Sequence, residues 1–267
     1  MRSRPRVLNL HIGLGKTGTS ALQTFFASER AQLQELGFIY PALVDLAPAS
    51  RGEPTRGNGL PLAQAIGWPG GVKKDAERPD IGEMADLLLE HATGTSDIIV
   101  SSEALQFFEP ERLSRFCDLL AAHDIQTRVI CFVRSCREFY LSVWKQHIKT
   151  FGNDVGFSEI LETFGGLQQT VVKNLEQVGS RHVAFDVFNY NQGRNDIVGF
   201  FLRDVLNVQG TSTPRIVNPS IDLPSQSEQS VATTTDEIES LLCRFQPVFE
   251  REAEVVNAHV IGEPIEL

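Results

Sequence analysis

Short apolar runs alternate with segments whose apolar residues recur three and four positions apart along most of the chain. Residues 7–13, 38–40, 97–101, 127–133 and 183–188 are brief, β-branched or apolar, and end in turn residues, so they predict strands. Ala21, Leu22, Phe25 and Phe26, continued by Leu33 and Leu36, predict one helix from Thr19, closed by Gly37 just past its end. Further helices are predicted over 81–91, through Leu113, Phe116, Cys117 and Leu120, and over 137–150, 158–164, 167–178, 196–206 and 236–257. Residues 48–80 are rich in Gly and Pro and predict at most one short helix, around 60–66. A loop of that length in a compact domain serves as a lid or an acceptor-binding segment, or else it is mobile. Polar coil is expected over 211–230. Apolar strands alternating with amphipathic helices predict an α/β three-layer sandwich with a mostly parallel central sheet. A single domain over 1–267 is expected, with a variable loop at 48–80 and an added C-terminal helix at about 235–258. Ligands of such sheets bind beyond the carboxyl ends of the strands.

Charge narrows the choice of partner. Against 24 Lys and Arg stand 34 Asp and Glu, a formal charge of −10. That argues against a general nucleic-acid binder but leaves room for an anionic ligand held by a few donors. The four cysteines, Cys117, Cys131, Cys136 and Cys243, show no zinc-like spacing, and Cys131 in an apolar run reads as a buried thiol. The first residues are basic but lead into a strand pattern without the apolar core of a leader peptide. No stretch reaches the ~18 apolar residues of a membrane span. A cytoplasmic protein without membrane insertion is expected.

The segment His11-Ile12-Gly13-Leu14-Gly15-Lys16-Thr17-Gly18-Thr19-Ser20 joins the first strand to the first helix. A strand turning through glycines into a helix start presents backbone N–H groups and the positive end of the helix dipole. Lys16 adds a mobile charge, and Thr17, Thr19 and Ser20 add hydroxyls. The segment is built to cradle an anion. It departs from the nucleoside-triphosphatase loop, whose first glycine would fall at Leu10. Lys16 to Ser20 instead resembles the Lys-Ser/Thr-Gly-Thr-Thr segment with which sulfotransferases hold the 5′-phosphosulfate of 3′-phosphoadenosine 5′-phosphosulfate (PAPS). The wider string looks like the bacterial branch of that superfamily.

A second block carries the same resemblance. Arg134 closes the strand 127–133 and Ser142 follows in the next helix, matching the Arg-x7-Ser pair that binds the 3′-phosphate of PAPS in that family. A guanidinium fork suits phosphate, and a hydroxyl adds a neutral donor. Arg215 and Asn218, in Arg-Ile-Val-Asn-Pro-Ser, fall where sulfotransferases close a loop over that phosphate; an ordinary surface turn is the other reading. The pattern from Phe185 to Val208 resembles the family's last strand and helix.

The resemblance implies sulfuryl transfer from PAPS to a hydroxyl or amine on a glycan, lipid or small metabolite, with Gly15 to Ser20, Arg134 and Ser142 holding the co-substrate. Lys16 would neutralise the leaving oxygen, and no metal is required. Glu103, directly after the third strand, is the candidate general base, or equally a carboxylate favouring a helix start. His11 is the alternative base, though a histidine within a strand is more often a core residue. Glu29 and Glu35 read as solvated helix carboxylates. Lys145, His147 and Lys149 with Trp144 read as a solvated face around one core aromatic, or as a cationic border for an acidic acceptor. Two other functions compete: a P-loop kinase or other nucleotide enzyme, and a catalytically inactive binding module.

Overall fold

The computed structural model describes residues 4–68, 70, 78–92, 94–151, 156–209 and 235–266. In chain order the elements are β1 (Arg6–Gly13), α1 (Thr19–Ser28), α2 (Arg30–Glu35), β2 (Phe38–Ile39), α3 (Ala47–Ser50), α4 (Leu60–Ile66), α5 (Ile81–His91) and β3 (Asp97–Ser102). There follow α6 (Pro110–Ala121), β4 (Ile125–Val133), α7 (Cys136–Phe151), α8 (Phe157–Phe164), α9 (Leu167–Glu176), β5 (Val183–Asn189), α10 (Ile197–Phe200), α11 (Thr235–Asn257) and β6 (Val260–Ile261). All strands run parallel in the order β2-β3-β1-β4-β5-β6. The mixed α/β architecture expected from the pattern is present.

Alternation along the strands divides the core in two. Leu8, Leu10 and Ile12 of β1, with Val129, Cys131 and Val133 of β4, face a core completed by α4 to α9 and α11. Ile99, Ile130 and Phe132 face the other, where Phe25 and Phe26 of α1 meet Ile197 and Phe201. The neighbouring strands β1 and β4 therefore send their following helices to opposite faces: α1 packs on one, and α7, through Phe139, Tyr140 and Trp144, on the other. A crevice opens beyond the carboxyl ends at such a divergence.

The structure departs from the pattern in four places. The helix expected from Thr19 through Leu36 breaks at Glu29 (φ −106°, ψ 34°), and the break brings Leu33 into the core of Phe25 and Phe26. A single turn, α3, carries Pro48 in its first turn, with the Ala47 N–H donating to the Asp45 carboxylate at 3.0 Å. The helix expected over 196–206 widens after Phe200 into a turn in which the Leu206 N–H donates to the Phe201 carbonyl. The short strand β6 follows α11, where no strand was expected. The coil at 211–230, with Arg215 and Asn218, lies outside the described residues.

Candidate active site

Three parallel strands deliver the predicted groups to one edge. β1 lies between β3 and β4, His11 standing opposite both Ser101 and Ile130. Lys16, Glu103 and Arg134 each follow the end of one of these strands.

The loop after β1 is shaped by its glycines and threonines. Gly13 passes so close to Thr19 that an added Cβ would lie 2.2 Å from the Thr19 hydroxyl oxygen. The Thr17 hydroxyl donates to the Leu14 carbonyl at 2.5 Å and closes the loop. Lys16 (φ 69°) and Gly18 (φ 77°) are both left-handed, on either side of Thr17. Alternating hands aim successive N–H groups to one side, as in anion-binding nests. Lys16 takes up this conformation without the freedom of glycine, a strain that clusters at functional sites. No side chain caps α1 and its first turn holds no acidic residue, so its N–H groups and dipole face the loop uncompensated. Thr19 is buried with its hydroxyl oxygen unpartnered, and Ser20 is exposed.

Arg134 is tied to that loop. Its Nη1 donates to the Lys16 carbonyl at 3.0 Å and its Nη2 to Glu138 at 2.7 Å, while Nε is buried without a partner. The guanidinium lies 5.4 Å from the Tyr190 ring centre, and Tyr190 also abuts Gly18. Its backbone is held by one side chain: Gln168 accepts from the Arg134 N–H at 2.9 Å and donates to its carbonyl at 3.0 Å. Gln168 is in turn fixed from the C-terminal helix. The buried Glu252 carboxylate accepts from the backbone N–H groups of Gln168 (3.0 Å) and Gln169 (3.3 Å) at the start of α9, and from the Tyr140 hydroxyl (2.7 Å).

Helix α7 runs from Arg134 to Lys16. Glu138, Ser142, Gln146 and Lys149 recur at helical spacing and share a face. Glu138 binds Arg134 at one end. Further along, Gln146 accepts from the Lys16 ammonium at 3.1 Å, and the charge of Lys149 acts on Lys16. Ser142 is half-buried on this stripe between the two contacts. Glu138 and Gln146 were not singled out from the sequence, although their four-residue steps from Ser142 mark the same face.

Glu103 opens a tight turn (Glu103–Phe107) that the Ser102 hydroxyl caps, accepting from the Ala104 N–H at 3.1 Å. The cap being Ser102, the Glu103 carboxylate is available to other partners. Burial lifts it above the usual carboxylate range against the charges of Lys16 and Arg56. Burial likewise holds the Lys16 ammonium below the usual lysine range; Glu103 opposes this, while Lys149 and Arg134 reinforce it. No direct ion pair joins Lys16 to Glu103 among the described residues.

Arg56 belongs to the long loop 48–80, whose inner part is fastened to β3 where β2 stops. Asn58 takes the place of a strand there: its amide donates to the Ile99 carbonyl (3.2 Å) and accepts from the Ser101 N–H (2.8 Å). Gly57 (φ 73°) is required, since a Cβ would stand 2.1 Å from the Ser101 carbonyl oxygen. Arg56 itself lies over the Trp68 ring at 4.6 Å.

His11 is elsewhere. It is fully buried, edge-on to Phe132 and Phe201, with Nδ1 2.8 Å from the Ser101 hydroxyl and Nε2 unpartnered. Burial pushes its pKa down to about 3, so the imidazole is neutral. It faces aromatic rings of the α1 side rather than the open edge.

No protein-family model matches the chain, and no curated protein matches it. A solved sulfotransferase from Alicyclobacillus acidocaldarius aligns over 96% of this chain and 96% of its own, with a TM-score of 0.51 and 15% identity. The fold is sulfotransferase-like. At that identity the likeness is one of fold, and the donor set must be judged on its chemistry. Backbone N–H groups at an uncapped helix start, a lysine, hydroxyls and a guanidinium with an unpartnered Nε suit phosphate or sulfate. Among the described residues no helix is long and apolar enough to cross a membrane.

Proposed function

We propose that the chain transfers a sulfuryl group from PAPS to a hydroxyl or amine of a glycan, lipid or small metabolite. One observation carries the reading: Arg134, from the end of β4, holds the carbonyl of the left-handed Lys16, from the end of β1, and so joins two anion-binding groups into one site. On this reading a nucleotide with phosphates on the 5′ and 3′ positions of its ribose lies across the ends of the two strands. The first would meet Lys16 and the α1 start, and the second Arg134 and Ser142.

In the transfer, the acceptor oxygen forms a bond to sulfur as the bond from sulfur to the 5′-phosphate oxygen breaks, and the bonding pair leaves with that oxygen. Lys16 balances the charge gathering there. Glu103 takes the acceptor proton, its raised pKa bringing it nearer the working pH of a base. On this reading the reacting atoms lie between Lys16 and Glu103, whose charges act on each other. Catalysis of this kind is mostly positioning and electrostatics.

Calorimetric titration tests the proposal. Adenosine 3′,5′-bisphosphate (PAP) is expected to bind at micromolar strength, ADP far more weakly, and Arg134→Ala to abolish the preference. Lys16→Ala should weaken both. Equal or tighter binding of Mg-ATP would overturn the proposal in favour of a kinase-like enzyme, and binding without turnover against an acceptor panel would favour an inactive module.

A further inference from the structure

The Arg134 subsite already holds an anion of its own. One oxygen of the Glu138 carboxylate accepts from Arg134 Nη2 at 2.7 Å, and the other lies 3.7 Å from Nη1 of Arg194. Glu138 lies in the first turn of α7, four residues after Arg134, whereas Arg194 arrives from the turn between β5 and α10. The carboxylate therefore draws together two guanidinium groups from separate elements. Arg134 is only 13% exposed and keeps a buried, unpartnered Nε, so its donors are not all used. Arg194, at 53% exposure, has its side chain free to follow a ligand. A carboxylate between two guanidiniums imitates a phosphate in the same position, with fewer acceptor oxygens and less charge.

We propose that Glu138 is a built-in counter-ion of the 3′-phosphate subsite, displaced when the nucleotide binds, and that Arg194 is the second guanidinium of that subsite. The inference rests on the PAPS reading. In the free protein Glu138 relieves the repulsion between Arg134 and Arg194 and keeps Arg134 turned toward the Lys16 carbonyl. Partial burial opposes ionisation of Glu138, but the hydrogen bond and charge of Arg134, with the charge of Arg194, outweigh it and hold the carboxyl below the usual range. Displacement has a cost, because an ionised carboxylate must give up its partners. The 3′-phosphate meets that cost with more oxygens and a higher charge, whereas a nucleotide lacking it has nothing to offer in exchange. Glu138 thus favours 3′-phosphorylated nucleotides partly by resisting others, a repulsive element in specificity.

The test compares PAP with AMP, which differs only by the 3′-phosphate, in titrations of the full chain and of Glu138→Gln and Arg194→Gln. Glu138→Gln is expected to tighten PAP about fivefold, on the scale of one partly exposed ion pair. Arg194→Gln is expected to weaken PAP by a similar factor and to leave AMP unchanged. Thermal unfolding of each variant checks folding; Arg194 is exposed enough that its substitution is expected to be tolerated. Unchanged or weaker PAP binding by folded Glu138→Gln overturns the counter-ion role, leaving Glu138 as a group that positions Arg134. Equal loss of PAP and AMP in Arg194→Gln overturns the assignment of Arg194. If the unaltered chain does not discriminate PAP from AMP, the PAPS reading falls, and this inference with it.

Discussion

Lys16 and Glu103 oppose each other in a setting that makes both charges costly. Burial lifts the Glu103 carboxyl and lowers the Lys16 ammonium, and each charge partly rescues the other. In the proposed transfer Glu103 acts ionised and Lys16 protonated, so the pH–rate profile should be a bell narrower than ordinary Glu and Lys values allow. Its acid limb lies above the usual Glu range and its alkaline limb below the usual Lys range. Glu103→Gln should reduce kcat by about 10²–10⁴-fold and remove the acid limb, without weakening PAP. The stability effect has the opposite sign. A carboxyl whose folded pKa is raised keeps a proton that the unfolded chain has already lost, so stability falls as pH rises through that window. Once both states are ionised the penalty is complete, and Glu103→Gln should unfold at a higher temperature at neutral pH. A lower melting temperature together with full activity would remove Glu103 from the mechanism. The glycines, Lys16 and hydroxyls of the first loop were legible because they are contiguous and their chemistry is local. Arg134 and Ser142 were picked out as candidates by their resemblance to the Arg-x7-Ser pair of sulfotransferases. Arg56, Gln168 and Glu252 were not, because their roles exist only through contacts that close long stretches of chain.

Two side-chain amides complete what the strands leave unfinished. Beyond β2 the edge of β3 would expose the Ile99 carbonyl and the Ser101 N–H, and Asn58 satisfies both. Beyond β4, Gln168 does the same for the Arg134 backbone. Gln168 supports Arg134 itself, and Asn58 supports the strand end two residues before Glu103. Asn58→Ala would strand the Ile99 carbonyl and the Ser101 N–H at about 1–3 kcal/mol each and lose the bond to the Pro41 carbonyl, loosening a loop that Gly59 still ties to the Ser101 carbonyl. The expected result in urea unfolding is a loss of roughly 2–6 kcal/mol, beyond that of an ordinary surface substitution. A change below ~0.5 kcal/mol would mean that water replaces the amide and the loop is not fastened by it. The strands and most helices could be read from periodicity, since each buries a face whose spacing is local. The break at Glu29 and the widened turn after Phe200 could not, because both are set by packing between elements: Leu33 against the α1 core, and Phe201 against His11, Phe26 and Phe132. Strand β6 is two residues long and takes its register from β5.

Across the molecule, the carboxyl ends of β1 and β4 are flanked by helices from both faces of the sheet, and the C-terminal helix reaches them through Glu252 and Gln168. Leu242, Phe249, Ala253 and Val256 of α11 lie in the same core cluster as the inner positions of β1 and β4. The proposal of one domain then requires one cooperative transition in which α11 melts with the sheet. On the PAPS proposal, PAP bound beyond β1 and β4 should raise that transition as a whole. At a free concentration of one hundred times Kd the stabilisation is about 2.7 kcal/mol. For a chain of this size that is a shift of roughly 5 °C. Arg134→Ala should lose most of the shift while keeping a single transition, since its backbone remains clamped by Gln168. Glu252→Gln should lower the melting temperature without ligand and also reduce the shift, because loosening the start of α9 loosens Gln168 and, through it, Arg134. A separate early transition for α11, with the PAP shift intact, would make the C-terminal helix an appendage rather than the support of the proposed phosphate site.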